Sequence, residues 1–297
     1  MNVLIIGSKG FIGSHLSEML KKKYKVWGCD IFTDYNEGNF FLVQPSNLDF
    51  QIIFRKSQFD ICINCSGAAS VPESLKNPGR DFELNVHNVF LLLEAIRECA
   101  PDCKFINLSS AAVYGDPKET PTTESNSLAP VSPYGFHKML AEKLCSEYFQ
   151  FYKIQVCSLR IFSAYGVGLK KQIFWDLYTR SKMSHLIELF GTGMEARDFI
   201  YIDDILKAID CIIESAEFNA AVYNLAGGKA CYIKQVAEIF LDALRWKGDL
   251  KFTGNHRLGD PDFWQADISK ISELGFSPGI SLEEGIQKYV KWLSSLE

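Results

Sequence analysis

The chain has 297 residues, of which 47% are hydrophobic and 23% are charged, a balance that excludes disordered and collagen-like chains. With 31 Lys and Arg against 36 Asp and Glu, the net charge is −5, so the summed field repels nucleic acid and a bound anion needs a local site. No apolar stretch approaches the roughly 18 residues that span a bilayer, and the amino terminus lacks a signal peptide's charged region. We therefore expect a cytoplasmic protein with neither a membrane nor a nucleic-acid partner.

Short apolar runs alternate with helical patterns through the first half of the chain. The strand-like runs are Asn2 to Ile6, Lys25 to Cys29, a weak run near Phe40 to Val43, Asp60 to Asn64 and Lys104 to Leu108. Apolar residues recur at helical spacing in Phe11 to Lys22 and in Arg80 to Glu98. This alternation predicts an α/β fold of the Rossmann type, a doubly wound parallel sheet covered by helices on both faces.

The alternation becomes less regular after Gly166, where we expect a smaller α/β domain to begin. The predicted division assigns 1–166, joined by about 198–228, to the first domain and mainly 167–297 to the second. Helices are predicted from Gln172 to Met183, from Asp203 to Glu214, and after Ser281, which forms a capping box with Glu284.

Nine cysteines lie mostly inside apolar runs, so we expect small buried side chains rather than disulfides. Cys62 and Cys65 form a C-x-x-C pair, but residues three apart on a strand face opposite ways, and no matching second pair follows. The sequence therefore predicts no metal site.

Three glycines, Gly7, Gly10 and Gly13, lie in the turn between the first strand and the first helix. Glycine permits a tight turn and close approach to a pyrophosphate, and the helix directs its free N–H groups at the anion. Asp30 ends the second strand, where a carboxylate can accept hydrogen bonds from both ribose hydroxyls and repel a 2′-phosphate. These features predict a dinucleotide site that prefers NAD, although Lys9 in the loop could tolerate NADP.

Tyr134 and Lys138 lie four residues apart, on one face of a helix predicted from Pro133 to Tyr152. A neighbouring ammonium stabilises a phenolate and can bring a tyrosine into the range of a working base. Ser110 follows the fifth strand, at the carboxyl edge where open α/β sheets bind ligands, so its hydroxyl can orient a substrate oxygen. A solvent-exposed Tyr and Lys pair on an amphipathic helix is the alternative.

Seven motifs occur in a fixed order along nearly the whole chain. They are Gly7-Ser-Lys-Gly-Phe-Ile-Gly13, Asp30, Asn107-Leu-Ser-Ser-Ala-Ala-Val-Tyr-Gly115, Ser132-Pro-Tyr-Gly-Phe-His-Lys138, Leu159-Arg-Ile-Phe-Ser-Ala-Tyr-Gly166, Arg197-Asp-Phe-Ile-Tyr-Ile-Asp-Asp204 and Arg257-Leu-Gly-Asp260. In these motifs the chain resembles the extended short-chain dehydrogenase/reductase superfamily, and within it the NAD-dependent nucleotide-sugar epimerases and dehydratases. The resemblance implies an NAD-binding first domain, a second domain for a nucleotide sugar, with a UDP-sugar favoured, and a homodimer. The dimer would form through the helices around Arg80 to Glu98 and Ser132 to Phe151.

The same resemblance implies roles for individual residues. It assigns catalysis to Ser110, Tyr134 and Lys138. It assigns cofactor binding to Gly7, Gly10, Phe11, Ile12, Gly13, Asp30, Asn47, Leu48, Ser66, Tyr134 and Lys138. It assigns substrate binding to Ser110, Ser163, Arg197 and Arg257, with the two guanidinium groups on the diphosphate. Surface ion pairing of the two arginines with Asp198 or Asp260 is the alternative.

The residues after Ser110 bear on the type of reaction. Ala111 and Ala112 stand where related dehydratases carry an Asp-Glu pair, so elimination of water is disfavoured. His137 points away from the Tyr134 face and is expected to be structural or exposed, as is Arg160. One base and one hydride acceptor remain, which suits a 4-epimerase. In such an enzyme Tyr134 would take a hydroxyl proton while hydride passes to NAD. The 4-keto intermediate would then turn before the hydride returns to its other face.

Two alternatives stay open from the sequence. A reductase of NDP-4-keto-6-deoxysugars is favoured by the short segment between Asp30 and Asn47 and by Ser163 in place of the usual Asn. A protein that binds NAD and a nucleotide sugar without turnover is the other, although the intact set of Ser110, Tyr134 and Lys138 argues against it. The family's commonest setting implies a role in polysaccharide precursor synthesis.

Overall fold

The computed structural model describes residues 1–32, 38–45 and 48–296. Its strands are β1 Asn2–Ile6, β2 Lys25–Asp30, β3 Phe40–Leu42, β4 Ile61–Asn64, β5 Lys104–Ser110, β6 Val156–Ile161, β7 Ser163–Tyr165, β8 Leu186–Leu189, β9 Ala196–Tyr201, β10 Asn219–Leu225, β11 Ala230–Tyr232 and β12 Asp249–Phe252. Seven of them form one sheet in the order β10-β6-β5-β4-β1-β2-β3. The pairs from β6 to β3 are parallel, and the strand order reverses between β1 and β4. This is the doubly wound arrangement of a dinucleotide-binding fold, and it confirms the predicted fold class.

The helices are α1 Phe11–Leu20, α2 Phe50–Lys56, α3 Val71–Lys76, α4 Pro78–Phe82, α5 Asn88–Cys99, α6 Pro133–Tyr152, α7 Gln172–Ser181, α8 Ile202–Ser215, α9 Ile233–Ala243, α10 Ser269–Ser272 and α11 Leu282–Ser294. The predicted bounds of α6 are confirmed, and Ser281 caps α11 as expected, accepting a hydrogen bond from the Glu284 N–H at 3.1 Å. α1 ends two residues before the predicted end, because Lys21 and Lys22 belong to the turn that leads into β2.

The predicted helix from Arg80 to Glu98 is interrupted by a π-helical turn at Glu83–His87, which joins α4 to α5. A π turn adds one residue to the local repeat and re-aims the side chains around it. The apolar stripe continues from α4 through the π turn into α5. The spacing of apolar residues in the sequence therefore does not reveal the extra residue.

The central strands are apolar on both faces because helices cover both sides of the sheet. A core cluster gathers buried side chains from the sheet with others from α2, α5 and α6, including Leu4, Phe105, Phe54, Leu92 and Cys145. All nine cysteines are free thiols, and those at positions 29, 62, 103, 145 and 157 are buried as small apolar side chains. Burial raises the pKa of the Cys65 thiol to about 12, which keeps it protonated and unreactive.

Within the described residues, no helix is long and apolar enough to cross a bilayer. The same part of the chain holds no cluster of three or more His, Cys, Asp or Glu side chains placed to bind a metal ion.

The chain forms two compact units. The first comprises residues 1–114, 130–161 and 213–223, and the second comprises 115–129, 162–212 and the residues from 224 onward. The second unit contains the three-stranded sheet β11-β9-β7 and the pair β12-β8. Compared with the predicted division, 115–129 groups with the second unit, and only 213–223 of the predicted 198–228 returns to the first. The roles of the two domains stay a prediction.

The first turn of α6 packs tightly in the first unit. Pro133 occupies its first position, and the Ser132 hydroxyl accepts a hydrogen bond from the Gly135 N–H at 3.2 Å, which fixes where the helix begins. A Cβ atom on Gly135 would lie 2.4 Å from the carbonyl oxygen of Ala112, in the 3-10 turn Ala111–Tyr114 that follows β5. Glycine at 135 therefore lets α6 approach the end of β5.

Replacing Gly135 by Ala tests this approach. The added methyl overlaps a backbone oxygen, so Gly135→Ala should lower the free energy of unfolding by about 1–3 kcal/mol, the usual cost of overpacking. Urea unfolding followed by circular dichroism measures it. The matched control is Gly79→Ala in α4, where a Cβ atom meets nothing within 4 Å and helix propensity favours alanine. Equal losses of stability in the two variants would contradict the close packing.

Candidate active site

The glycine loop connects β1 to α1, and its glycines allow contacts that a side chain would block. Gly7 has a φ of +76°, and a Cβ atom there would lie 2.7 Å from the backbone nitrogen of Ser66. A Cβ atom on Gly13 would lie 2.1 Å from the carbonyl oxygen of Gly7. Gly10, with no side chain of its own, caps α1, so the N–H groups at Phe11 and Ile12 face outward from the helix start. The loop is a cradle for an anion at a helix N-terminus.

Asp30 lies at the carboxyl end of β2, next to this loop. One carboxylate oxygen accepts a hydrogen bond from the Lys9 N–H at 2.8 Å, and the other accepts one from the Ile31 N–H at 2.7 Å. The carboxylate is therefore held against the loop by two backbone donors. The Lys9 ammonium lies 5.3 Å from the centre of the Phe40 ring, a distance at which a cation is attracted to the ring face.

Three further residues, Ser66, Leu48 and Asn47, are predicted to contact the cofactor. Ser66 follows β4, and its hydroxyl donates to the side-chain oxygen of Asn64 at 2.6 Å. Leu48 is partly buried against the core cluster. Asn47 lies outside the described residues. The glycine loop, Asp30 and Ser66 thus lie along one edge of the sheet, and this edge fits a dinucleotide whose pyrophosphate rests on the loop.

Ser110, Tyr134 and Lys138 are brought together at the same edge of the sheet. Ser110 is the last residue of β5, and Tyr134 and Lys138 lie on successive turns of α6. The Ser110 hydroxyl accepts a hydrogen bond from the Ala112 N–H at 3.2 Å, and the Lys138 ammonium donates to the carbonyl oxygen of Leu108 at 2.9 Å. All three side chains are buried, so the exposed Tyr and Lys pair considered from the sequence does not occur.

Burial moves the two titrating groups in opposite directions. It raises the pKa of Tyr134 to about 12, against the lowering effect of the hydrogen bond with Ser110. It lowers the pKa of Lys138 to about 8, against the raising effects of the Asp81 and Glu142 carboxylates. In the protein alone, loss of solvent disfavours the phenolate more than its neighbours favour it. That Lys138 stabilises the phenolate stays a prediction.

A buried ion pair fixes α6 to the sheet beside these residues. The Arg160 guanidinium on β6 contacts the Glu142 carboxylate on α6 through two nitrogens, at 2.7 Å and 3.0 Å. The Ser109 hydroxyl donates to Glu142 at 2.5 Å, and Arg160 also donates to the Tyr114 hydroxyl at 2.8 Å. Every strong donor and acceptor in this group has a partner, which is the condition under which a buried pair is tolerated. Arg160 is structural, as the sequence predicts.

His137 and Asp81 form a second buried contact. The His137 Nδ1 atom lies 2.6 Å from a carboxylate oxygen of Asp81, so the histidine has the structural contact expected of it. Sequence reasoning missed Asp81 and Glu142 as neighbours of the site. A polar residue on the buried side of a predicted helix is the signal that could have identified both.

The predicted diphosphate-binding residues lie in the second unit. Arg197 is in β9, where its guanidinium donates to the Ala196 carbonyl at 2.9 Å and lies 5.5 Å from the Trp264 ring centre. Burial lowers the pKa of Arg197, and the Asp260 carboxylate is the strongest charge opposing that shift.

The alternative pairing of Arg197 with Asp198 receives no support from the geometry. Asp198 is buried and accepts a hydrogen bond from the Ala266 N–H at 3.1 Å, and burial raises its pKa to about 6. Loss of solvent raises the pKa of Asp260, whereas the charges of Arg197 and Arg257 oppose that shift. The Asp260 carboxylate therefore interacts with both arginines. Ser163, the first residue of β7, is half-buried.

Comparison with known proteins places this geometry in a family. Residues 3–226 match the model of the NAD-dependent epimerase/dehydratase family. YtcB of Bacillus subtilis (strain 168), an uncharacterized UDP-glucose epimerase, is 31% identical in an alignment that covers 100% of this chain and 99% of YtcB. The UDP-glucuronic acid 4-epimerase from Bacillus cereus, solved with UDP-glucuronic acid and NAD, is 27% identical with a TM-score of 0.91, and the alignment covers 100% of both chains.

A second solved structure has a similar fold. The UDP-N-acetylglucosamine 4-epimerase from Methanobrevibacter ruminantium M1 has a TM-score of 0.89 at 28% identity, covering 100% of this chain and 99% of that one. Both the motif order and the match of the family model extend over most of the chain. The chain therefore belongs to the NAD-dependent epimerase/dehydratase family, which confirms the resemblance inferred from its motifs and the predicted dependence on NAD.

Proposed function

We propose that this protein is an NAD-dependent UDP-sugar 4-epimerase that inverts C4 of a nucleotide-linked hexose through a transient 4-keto intermediate. The observation that carries the proposal is the buried set of Ser110, Tyr134 and Lys138, followed by Ala111 and Ala112 with no acid or base of their own. The named relatives act on UDP-glucose, UDP-glucuronic acid and UDP-N-acetylglucosamine, which supports a UDP-sugar as the substrate class.

The glycine loop and Asp30 would hold NAD. The N–H groups at the start of α1 suit the pyrophosphate, and the fixed Asp30 carboxylate suits the two hydroxyls of the adenosine ribose. When bound, NAD supplies a hydride acceptor and donor at C4, and the positive charge of its oxidised ring favours a phenolate nearby.

The chain's own residues then move one proton. Tyr134 takes the proton of the C4 hydroxyl and gives it back to the same oxygen, so one side chain serves both directions. Ser110, whose side chain lowers the pKa of Tyr134, orients that oxygen. The Lys138 ammonium stabilises the phenolate form of Tyr134. Inversion needs no second acid or base, because the planar 4-keto sugar can present either face.

Arg197 and Arg257 are proposed to bind the diphosphate, with Ser163 as a further substrate contact. The support is the partly buried Arg197 side chain and the charge of Asp260, which acts on both arginines. Guanidinium groups bind phosphate oxygens through paired N–H donors.

A homodimer through the helical segment 78–99 and α6 is also proposed. Its support is the exposed aromatic surface of those helices: Phe90 is 39% exposed and Phe151 is 68% exposed, and exposed apolar patches mark contact surfaces. The cytoplasmic location and the role in polysaccharide synthesis stay predictions.

Turnover of nucleotide sugars tests the function directly. The purified protein is offered UDP-glucose, UDP-N-acetylglucosamine and UDP-glucuronate without added NAD, and NMR of the product should show the C4 epimer of at least one of them. Tyr134→Phe should lower kcat by about 10²- to 10⁴-fold, the usual contribution of general acid–base catalysis. Tyr152→Phe, on an exposed tyrosine at the end of the same helix, is the control and should leave kcat unchanged. If no sugar is inverted and NADH or NADPH is consumed with a 4-keto-6-deoxysugar nucleotide, the protein is a reductase instead.

Removing the Asp30 carboxylate tests the cofactor site. Asp30→Ala should weaken NAD binding by about 10- to 100-fold, since a hydrogen bond to a charged group is worth about 1.5–3 kcal/mol. Calorimetric titration of the protein freed of cofactor measures the change. Asp60→Ala, on an exposed aspartate just before β4 and at the opposite edge of the sheet, should bind NAD as tightly as the wild type. Unchanged affinity in Asp30→Ala would remove Asp30 from the site.

A further inference from the structure

A buried carboxylate beside the catalytic helix has no role in the mechanism above. Asp81 lies in α4 and is 3% exposed. One of its oxygens contacts the Nδ1 atom of His137 at 2.6 Å, and the Phe82 ring packs edge-on against His137 at 5.5 Å. The other oxygen of Asp81 is buried and has no hydrogen-bond partner among the described residues. Burying a carboxylate with one oxygen unpaired is costly, so the position calls for an explanation.

Asp81 is held against α6 by His137, the residue that precedes Lys138, and its charge acts on the proposed catalytic pair. It is the largest of the charges that raise the pKa of Lys138, and it also raises the pKa of Tyr134. Glu142 is the next charge acting on Lys138, but it already pairs with Arg160, which stays positive at any working pH. Asp81 is therefore the carboxylate near Lys138 that is not matched by an arginine in the described structure.

The other charged groups on the neighbouring elements face solvent. Glu83 and His87 pair with each other at 2.6 Å on the π turn, and Glu73 and Lys76 pair at 3.6 Å on α3. Arg80, beside Asp81, is exposed. Charges in water are screened. The Cys65 thiol also acts on Lys138, but burial raises its pKa to about 12 and keeps it neutral. Asp81 and His137, together with the paired Glu142, therefore set the charge that the buried Lys138 experiences.

We propose that Asp81 is a positioning residue whose carboxylate, oriented by its hydrogen bond with His137, keeps the ε-amino group of Lys138 in the ammonium form inside the buried site. Burial by itself favours the neutral amine, and a neutral amine cannot stabilise a tyrosinate. The proposal rests on the proposed function in one respect, namely that the Lys138 ammonium has a catalytic role.

The test measures the protonation of Lys138 with and without the Asp81 charge. Trace acetylation of the full-length protein by acetic anhydride across a pH series, read at Lys138 by mass spectrometry, gives the pKa of its amine. Asp81→Asn should lower that pKa by about one unit or more, the usual effect of a nearby opposite charge, and Asp81→Glu should restore most of it. In the epimerase assay, the alkaline limb of kcat/KM should move to lower pH by the same amount.

Two controls separate charge from shape. Glu83→Gln removes an exposed carboxylate two residues along the chain and should leave the pKa of Lys138 unchanged. His137→Gln keeps a donor for Asp81 and should also leave it unchanged; a shift as large as that of Asp81→Asn would assign the effect to the histidine and overturn the proposal. If Asp81→Asn does not fold, Asp81→Ser removes the same charge with a smaller side chain.

The outcomes distinguish this inference from the proposed function. An unchanged pKa of Lys138 in the folded neutral variant at position 81 overturns the inference, whatever the protein's substrate. A lowered pKa in a protein that inverts no sugar supports the inference and rejects the epimerase.

Discussion

The packing of α6 against the end of β5 is the constraint on which the active site depends. Ser132 and Pro133 fix the first turn of the helix, and Gly135 lets that turn approach the 3-10 turn after Ser110 within a distance that a methyl group would block. Two turns further along, the Glu142 pair with Arg160 joins the helix to β6. Held at both points, α6 presents Tyr134 and Lys138 to Ser110 in a fixed geometry, and preorganisation of this kind contributes to catalysis because little rearrangement is needed at the reaction step.

The electrostatic consequence of this packing is a site in which neither titrating group has its ordinary pKa. Loss of solvent raises the pKa of Tyr134 and lowers that of Lys138, so burial alone works against the tyrosinate and ammonium pair that the proposed mechanism requires. Two carboxylates oppose this for Lys138, and they differ in character: Glu142 is fully paired, whereas Asp81 keeps one oxygen without a hydrogen bond among the described residues. A charge left partly unpaired in a buried place acts over a longer range than a neutralised one. In the proposed mechanism, the protonation of Lys138 therefore depends on two carboxylates that are assigned no contact with the substrate.

Features that depend on local chemistry could be predicted from the sequence. The glycine loop requires a positive φ at Gly7 and a close approach at Gly13, and no other residue type satisfies both. The bounds of α6 follow from a serine cap and a proline in the first turn. Strand and helix alternation likewise identified the doubly wound sheet. These signals all lie within a few residues of the structure they specify.

What the sequence could not reveal depends on distant contacts. His137 and Asp81 are 56 residues apart, and Ser109 and Glu142 are 33 residues apart, so no short-range pattern links them. The π turn at 83–87 shifts the helix by one residue without breaking its apolar stripe. The spacing of Tyr134 and Lys138 correctly predicts that they share a helix face, but the direction of the Tyr134 pKa depends on burial, which spacing does not encode. The grouping of 115–129 with the second unit is also a matter of packing.

In the proposed mechanism, one proton-transferring side chain and one returned hydride invert C4. The decisive experiment uses a UDP-sugar that carries deuterium at C4 and follows it by NMR and mass spectrometry through many turnovers in ordinary water. The product epimer should keep its deuterium at C4, because the hydride removed from that carbon returns to it. Loss of the label to solvent at the rate of epimerisation would rule out this mechanism, since inversion would then proceed by removal and return of a proton on carbon.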